Sequence, residues 1–137
     1  MTSLNINHKA IILLVFIHQA FGAFWYSMLE GQWLTAAGLT MDDIDPNDPS
    51  PYIIAIICTI ALNYTIALLL ALRGVKDPAL GAKWAALLWA GILLPHTITH
   101  YTFAGSVPSL LLIDMGHSLV AMLISGTVLG FWQPKKA

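Results

Sequence analysis

At 137 residues, 58% of them hydrophobic and only 9% charged, the chain cannot coat a water-soluble fold, which ordinarily carries about a quarter charged residues. A formal net charge of −1 excludes the electrostatic footprint of a nucleic-acid-binding protein. The single cysteine, Cys58, excludes an intrachain disulfide and a paired-thiol redox site.

Crossing about 30 Å of hydrocarbon takes about 20 apolar residues in a helix. The first such run covers 10–29. It reads as a retained span, because only Lys9 precedes it and Phe21 fills the position before Ala23 where a cleavage site needs a small residue. An acidic connection, 30–51, follows. Within it Thr40-Met41-Asp42-Asp43 reads as a capped helical turn. Asp43-Ile44-Asp45-Pro46-Asn47-Asp48 has alternating oxygens, but it lacks the glycine and the closing glutamate of a calcium loop. Ser50-Pro51 reads as a cap and first-turn proline for the second span, 52–72. Gly74 suits the end of that helix. Asp77-Pro78 repeats the cap-and-proline signal, so the third helix begins near Pro78, with its membrane span at 84–103. Ser106-Val107-Pro108-Ser109 turns the chain into a fourth span, 110–132. The reading is an all-α, single-domain bundle of four membrane helices.

Topology follows from the basic residues. Lys9 precedes the first span, Arg73, Lys76 and Lys83 lie between the second and third, and Lys135 and Lys136 follow the fourth. With four crossings all six share one side, which should be the cytoplasm, together with both termini. Glu30, Asp42, Asp43, Asp45 and Asp48 share the other. Small residues mark packing faces in lipid. They are Gly22 in the first span, the stripe Ala55, Thr59, Asn63, Ala67 and Ala71 in the second, and Gly126 with Gly130 in the fourth. The GxxxG pair fits either packing within the chain or a homo-oligomer.

Polar groups at membrane depth are costly and mark either interhelical hydrogen bonds or function. His96 and His100 are four apart, so they share a helix face, as do Asp114 and His117, three apart. A rise of 1.5 Å per residue places His96 and His117 at similar depth, roughly 18–20 Å from the basic side. The expectation is a cluster of His96, His100, Asp114 and His117, with Tyr26 reaching the same layer. His18 and Asn63 continue the polar path toward the basic side. Pro95 frees the carbonyl of Gly91 and should kink the helix beside His96. The cluster fits a structural network, a proton-linked binding or transport site, a metal site built from these same four residues, or bis-histidine haem ligation by His96 and His117. The sequence requires no cofactor. Nothing in it looks like an activated serine or a phosphate loop. Lipid is the necessary partner, and a homo-oligomer or a larger membrane complex is open.

Two motif groups resemble a known family. Gly22-Ala23-Phe24-Trp25-Tyr26-Ser27, with Gly31 and Trp33, is similar to the signature of small bacterial membrane proteins called domain of unknown function 1761. Leu111-Leu112-Ile113-Asp114-Met115-Gly116-His117 and Gly126-Thr127-Val128-Leu129-Gly130-Phe131-Trp132 resemble its last helix. Glu30 and Gln32 depart from the apolar and basic residues usual there. The resemblance implies a four-helix protein of the bacterial inner membrane and brings no established activity. It marks Trp25, Tyr26, Asp114 and Gly130 as motif positions.

Overall fold

The computed structural model describes residues 6–132. The expected basic pair Lys135 and Lys136 lies outside the described residues. Among those described there are helices and no strands, in the order α1 (His8–Met28), α2 (Glu30–Ala37), a 3-10 turn (Met41–Asp43), α3 (Ser50–Leu72), α4 (Pro78–Leu88), a π-helical turn (Trp89–Leu93), α5 (Leu94–Phe103) and α6 (Pro108–Phe131). α1, α3, the continuous α4–α5 rod (Pro78–Phe103) and α6 are each long and apolar enough to cross a membrane.

Local chemistry sets most of the boundaries. The Asn7 side chain accepts the Ala10 N–H and starts α1. Asp77 accepts the Leu80 N–H at 2.7 Å ahead of Pro78, as expected for α4. Gly74, at φ 64°, ends α3. Its N–H reaches Ala71 O and the Val75 N–H reaches Leu70 O, the paired closure that a left-handed residue permits. The start of α3 differs from expectation. Ser50 is the first helical residue rather than the cap, and its N–H is taken by the Asp48 carboxylate at 2.9 Å.

The acidic connection is more ordered than expected. α2 follows α1 almost without a break and ends at Gly38 in the left-handed region. Asp43 then closes a capping box with Thr40, accepting both its N–H and its hydroxyl. Those two bonds, the backbone one foremost, hold the Asp43 carboxyl below the usual range, so this exposed end stays negative.

α6 is the hub of the bundle, touching α1, α2, α3, α4 and α5. Asn7 Nδ2 donates to the carbonyl of Trp132, which fixes the start of α1 beside the end of α6. Lys9, Arg73, Lys76 and Lys83 lie toward that end of the molecule, and Arg73 sits over the Trp84 ring at 5.0 Å. This is the basic end. The acidic end carries α2, the 3-10 turn and the short α5–α6 connection.

The core is concentrated toward the basic end. Ala10, Ile11 and Leu14 of α1 meet Ile66, Ala67 and Leu70 of α3, with Val75, Ala85, Met122 and Leu129. α4 and α6 come closest of all. A Cβ built on Gly81 would fall inside the Gly126 carbonyl and 3.0 Å from the Gly130 Cα. One on Gly126 would stand 2.7 Å from the Ala85 Cβ. The Gly126/Gly130 face is therefore used within the chain, against α4, and not left for a second copy. Ile12, Phe16, Ile53, Leu87, Ile92, Phe103 and Leu112 are exposed around the outside, as a lipid-facing surface requires.

The π-helical turn has a large effect on register. Leu94 N–H bonds to Trp89 O, five residues back, so one extra residue enters the rod just before Pro95. Each residue of an α-helix turns it by about 100°. On an unbroken helix the packed face of Gly81 and Ala85 would continue through Leu88, Ile92, His96 and Phe103. Across the π turn it continues through Trp89, Leu93, Leu94, Thr97 and Tyr101 instead. These five are partly buried, whereas Ile92, His96 and Phe103 are exposed. At Pro95, where a kink was expected, the rod changes phase. Trp89 anchors it by donating from Nε1 to Ser118 Oγ on α6 at 2.9 Å.

Candidate functional site

Three polar layers run down the α1–α6 seam. Nearest the acidic end is Asp114, about two turns into α6. Tyr26 of α1 donates to its Oδ1 at 2.9 Å, and Tyr101 of α5 donates to its Oδ2 at 2.6 Å. Each carboxylate oxygen thus has one phenol donor. Trp25 lies beside this layer, donating from Nε1 to the Ile113 carbonyl, and its ring sits against the face of Gly116.

One turn deeper is His117. Its ring stacks on Phe21 with centroids 5.1 Å apart and planes 8° off parallel, and it lies 5.1 Å from the Tyr26 ring. His117 Nε2 is buried without a hydrogen-bond partner. A side chain at Gly22 would come to 3.5 Å from it, so the glycine brings the α1 backbone close to this nitrogen.

The third layer is His18 with Ser125, joined by a buried hydrogen bond of 2.8 Å between Nε2 and Oγ. Asn63 of α3 is fully buried as well. Its Nδ2 donates to Thr59 O within α3, and its Oδ1 has no partner.

The expected quartet does not assemble as the sequence suggested. Asp114 and Tyr26 meet directly, and His117 lies against Tyr26. His96 and His100 are exposed on α5; the π turn takes His96 off the packed face and brings Tyr101 round to Asp114. The expected metal set does not converge either, and among the described residues no three His, Cys, Asp or Glu side chains form a metal-holding group. Haem ligation by His96 and His117 lacks its geometry, since His96 faces outward while His117 is stacked on α1. Tyr101 and Ser125 are the partners that sequence reasoning did not assign. Ser125 carried a signal, lying on the same face of α6 as Asp114 and His117. Tyr101 carried none, since its position depends on the phase change upstream.

Beside the seam the bundle opens. α1 and α3 pack tightly near the basic end and part toward the acidic end, leaving a cleft of about 500 Å³. His18 and His117 line its deep part, with Gly22 between them. Gln19, Tyr26, Ser27 and Glu30 follow along α1, Thr59, Ala55 and Tyr52 face them from α3, and Trp33 with Ile44 lies over the mouth. Tyr26 therefore has two neighbourhoods, its ring lining the cleft and its hydroxyl held by Asp114 behind.

Residues 9–130 match the family described as protein of unknown function DUF1761. The chain belongs to that family. The match takes in every group of the three polar layers and all the residues that line the cleft. No curated protein and no solved structure matches this DUF1761 chain. Its site must therefore be read from its own chemistry.

Proposed function

We propose that this DUF1761 protein is a four-span membrane protein that binds a small molecule in the cleft at its acidic end. The observation that carries this reading is the unpaired His117 Nε2, buried in a residue that lines the cleft. Leaving a buried polar atom unpaired costs about 1–3 kcal/mol, and a ligand that draws the His117 ring toward the cleft, past Gly22, would relieve it. The volume lies in the range of small-molecule sites, which join apolar walls to a few convergent polar groups. Here the walls come from Leu34, Met41, Ile44 and Ala55, and the polar groups from His18, Gln19, Tyr26, Thr59 and His117. Asp114 supports the site from behind by holding the Tyr26 hydroxyl.

The reading includes an orientation. Lys9, Arg73, Lys76 and Lys83 gather on one side, which favours the cytoplasm for the basic end and both termini. The cleft then faces away from the cytoplasm. A reporter placed in the 39–48 connection is expected to be active only outside the cytoplasm, and one at the α3–α4 turn only inside. The reverse pattern overturns the orientation.

Filling the cleft tests the binding reading. Ala55→Trp places an indole between α1 and α3 without touching the glycine seam. Ligand screening by thermal shift in detergent is expected to find stabilising small molecules for the wild-type protein, with the shift lost in Ala55→Trp while helical content is kept. Equal shifts in both proteins would place binding elsewhere.

A further inference from the structure

The charge pattern around the cleft narrows its ligand class. Glu30 is the one formally charged side chain in the lining, and no lysine or arginine joins it. The connection that covers the mouth adds Asp42, Asp43, Asp45 and Asp48, and 30–51 contains no basic residue. Lys9, Arg73, Lys76 and Lys83 sit at the far end of the bundle. A cleft with low-dielectric walls and acidic charge alone at its mouth focuses a field that draws cations and repels anions. Its lining also supplies three aromatic rings, Tyr26, Trp33 and Tyr52. Tyr26 and Trp33 meet edge to face, with centroids 5.9 Å apart. Aromatic faces beside a carboxylate are the means by which proteins recognise alkylated ammonium groups. Leu34, Met41, Ile44 and Ala55 would take the apolar part of such a molecule.

We propose that the cleft binds a small amphipathic organic cation, its ammonium group among Tyr26, Trp33, Tyr52 and Glu30 and its apolar part against α1 and α3. This rests on the binding reading above and specifies its ligand. An anion would lack a positive partner in the lining. A neutral molecule of the same shape would gain the apolar contacts alone.

Three aryl probes of similar size and different charge test it: phenyltrimethylammonium, its neutral isostere tert-butylbenzene, and benzenesulfonate. Each is titrated against purified full-length protein in maltoside micelles, read by tryptophan fluorescence and calorimetry. The cation is expected to bind about tenfold or more tightly than the isostere, the difference that 1.4 kcal/mol makes, and benzenesulfonate not at all. Glu30→Gln and Trp33→Leu are each expected to weaken the cation about fivefold and to leave tert-butylbenzene unchanged. Equal binding of cation and isostere, or preference for the sulfonate, overturns the cation class. If that binding disappears in Ala55→Trp, the cleft remains a binding site of another class. Failure of all three probes to bind the wild-type protein overturns the cation proposal and the binding reading together. Adding phosphatidylcholine to the micelles separates two sources of the same chemistry. Competition would identify a lipid headgroup as the cation, and unchanged affinity a soluble one.

Discussion

Gly81→Ala will destabilise the bundle by about 1–3 kcal/mol, the cost of overpacking a filled core. The new methyl group would meet the Gly126 carbonyl and the Gly130 Cα. Both are backbone, so no side chain can rotate away, and α4 and α6 must move apart as whole helices. Gly126→Ala meets the reciprocal obstacle, the Gly81 backbone and the Ala85 Cβ, and should cost a similar amount. The double substitution is expected to cost less than the sum, because the helices separated by one methyl leave space for the other. Gly31→Ala is the control. Nothing lies within 4 Å of a Cβ there, and alanine favours a helix over glycine by up to about 1 kcal/mol. Unfolding in mixed detergents, followed by helical circular dichroism, measures all four. An unchanged midpoint for both seam variants would mean that α4 and α6 are not in backbone contact.

Tyr101→Phe is expected to cost about 1.5–3 kcal/mol, the usual value of a hydrogen bond to a charged group, and Tyr26→Phe a comparable amount. Each removes the phenol from one oxygen of Asp114 without changing the packing of the ring. The double variant leaves the carboxylate with neither donor, so its loss should exceed either single one. Neighbours on the same helix provide the contrast. His96→Leu and His100→Phe change exposed positions and should move stability by no more than about 0.5 kcal/mol. Detergent unfolding again gives the answer. A large loss at His96, with Tyr101→Phe silent, would mean that α4 and α5 form one unbroken helix with His96 turned inward.

These two results bear on different kinds of legibility. The four spans and several of their ends were readable because their causes are local. Asp77 before Pro78 and Gly74 after Arg73 need only their immediate neighbours to act, and so does the Thr40/Asp43 box. Gly126 and Gly130 announced a packing face, but their partner was not singled out. Gly81 lies in the part of α4 that precedes the run read as the third span. The polar seam was half readable. Asp114, His117, Tyr26 and His18 were picked out because such groups are expensive in lipid, whatever they meet. Their partners depend on helix phase. That phase is set by a π turn anchored through Trp89 and Ser118, a contact between positions 29 apart in the chain. The cleft was not readable at all, because it comes from the angle between α1 and α3 and not from any stretch of sequence.

The parting of α1 and α3 also sets how the molecule breathes. A bundle clamped by a glycine seam and a dense core at one end, and spread at the other, does not loosen evenly. Local opening is easiest where few buried apolar contacts must be broken. Fluctuations should therefore concentrate around α2 and the neighbouring ends of α1 and α3. The chain is built like a clothes-peg, in which the jaws can widen while the spring stays closed.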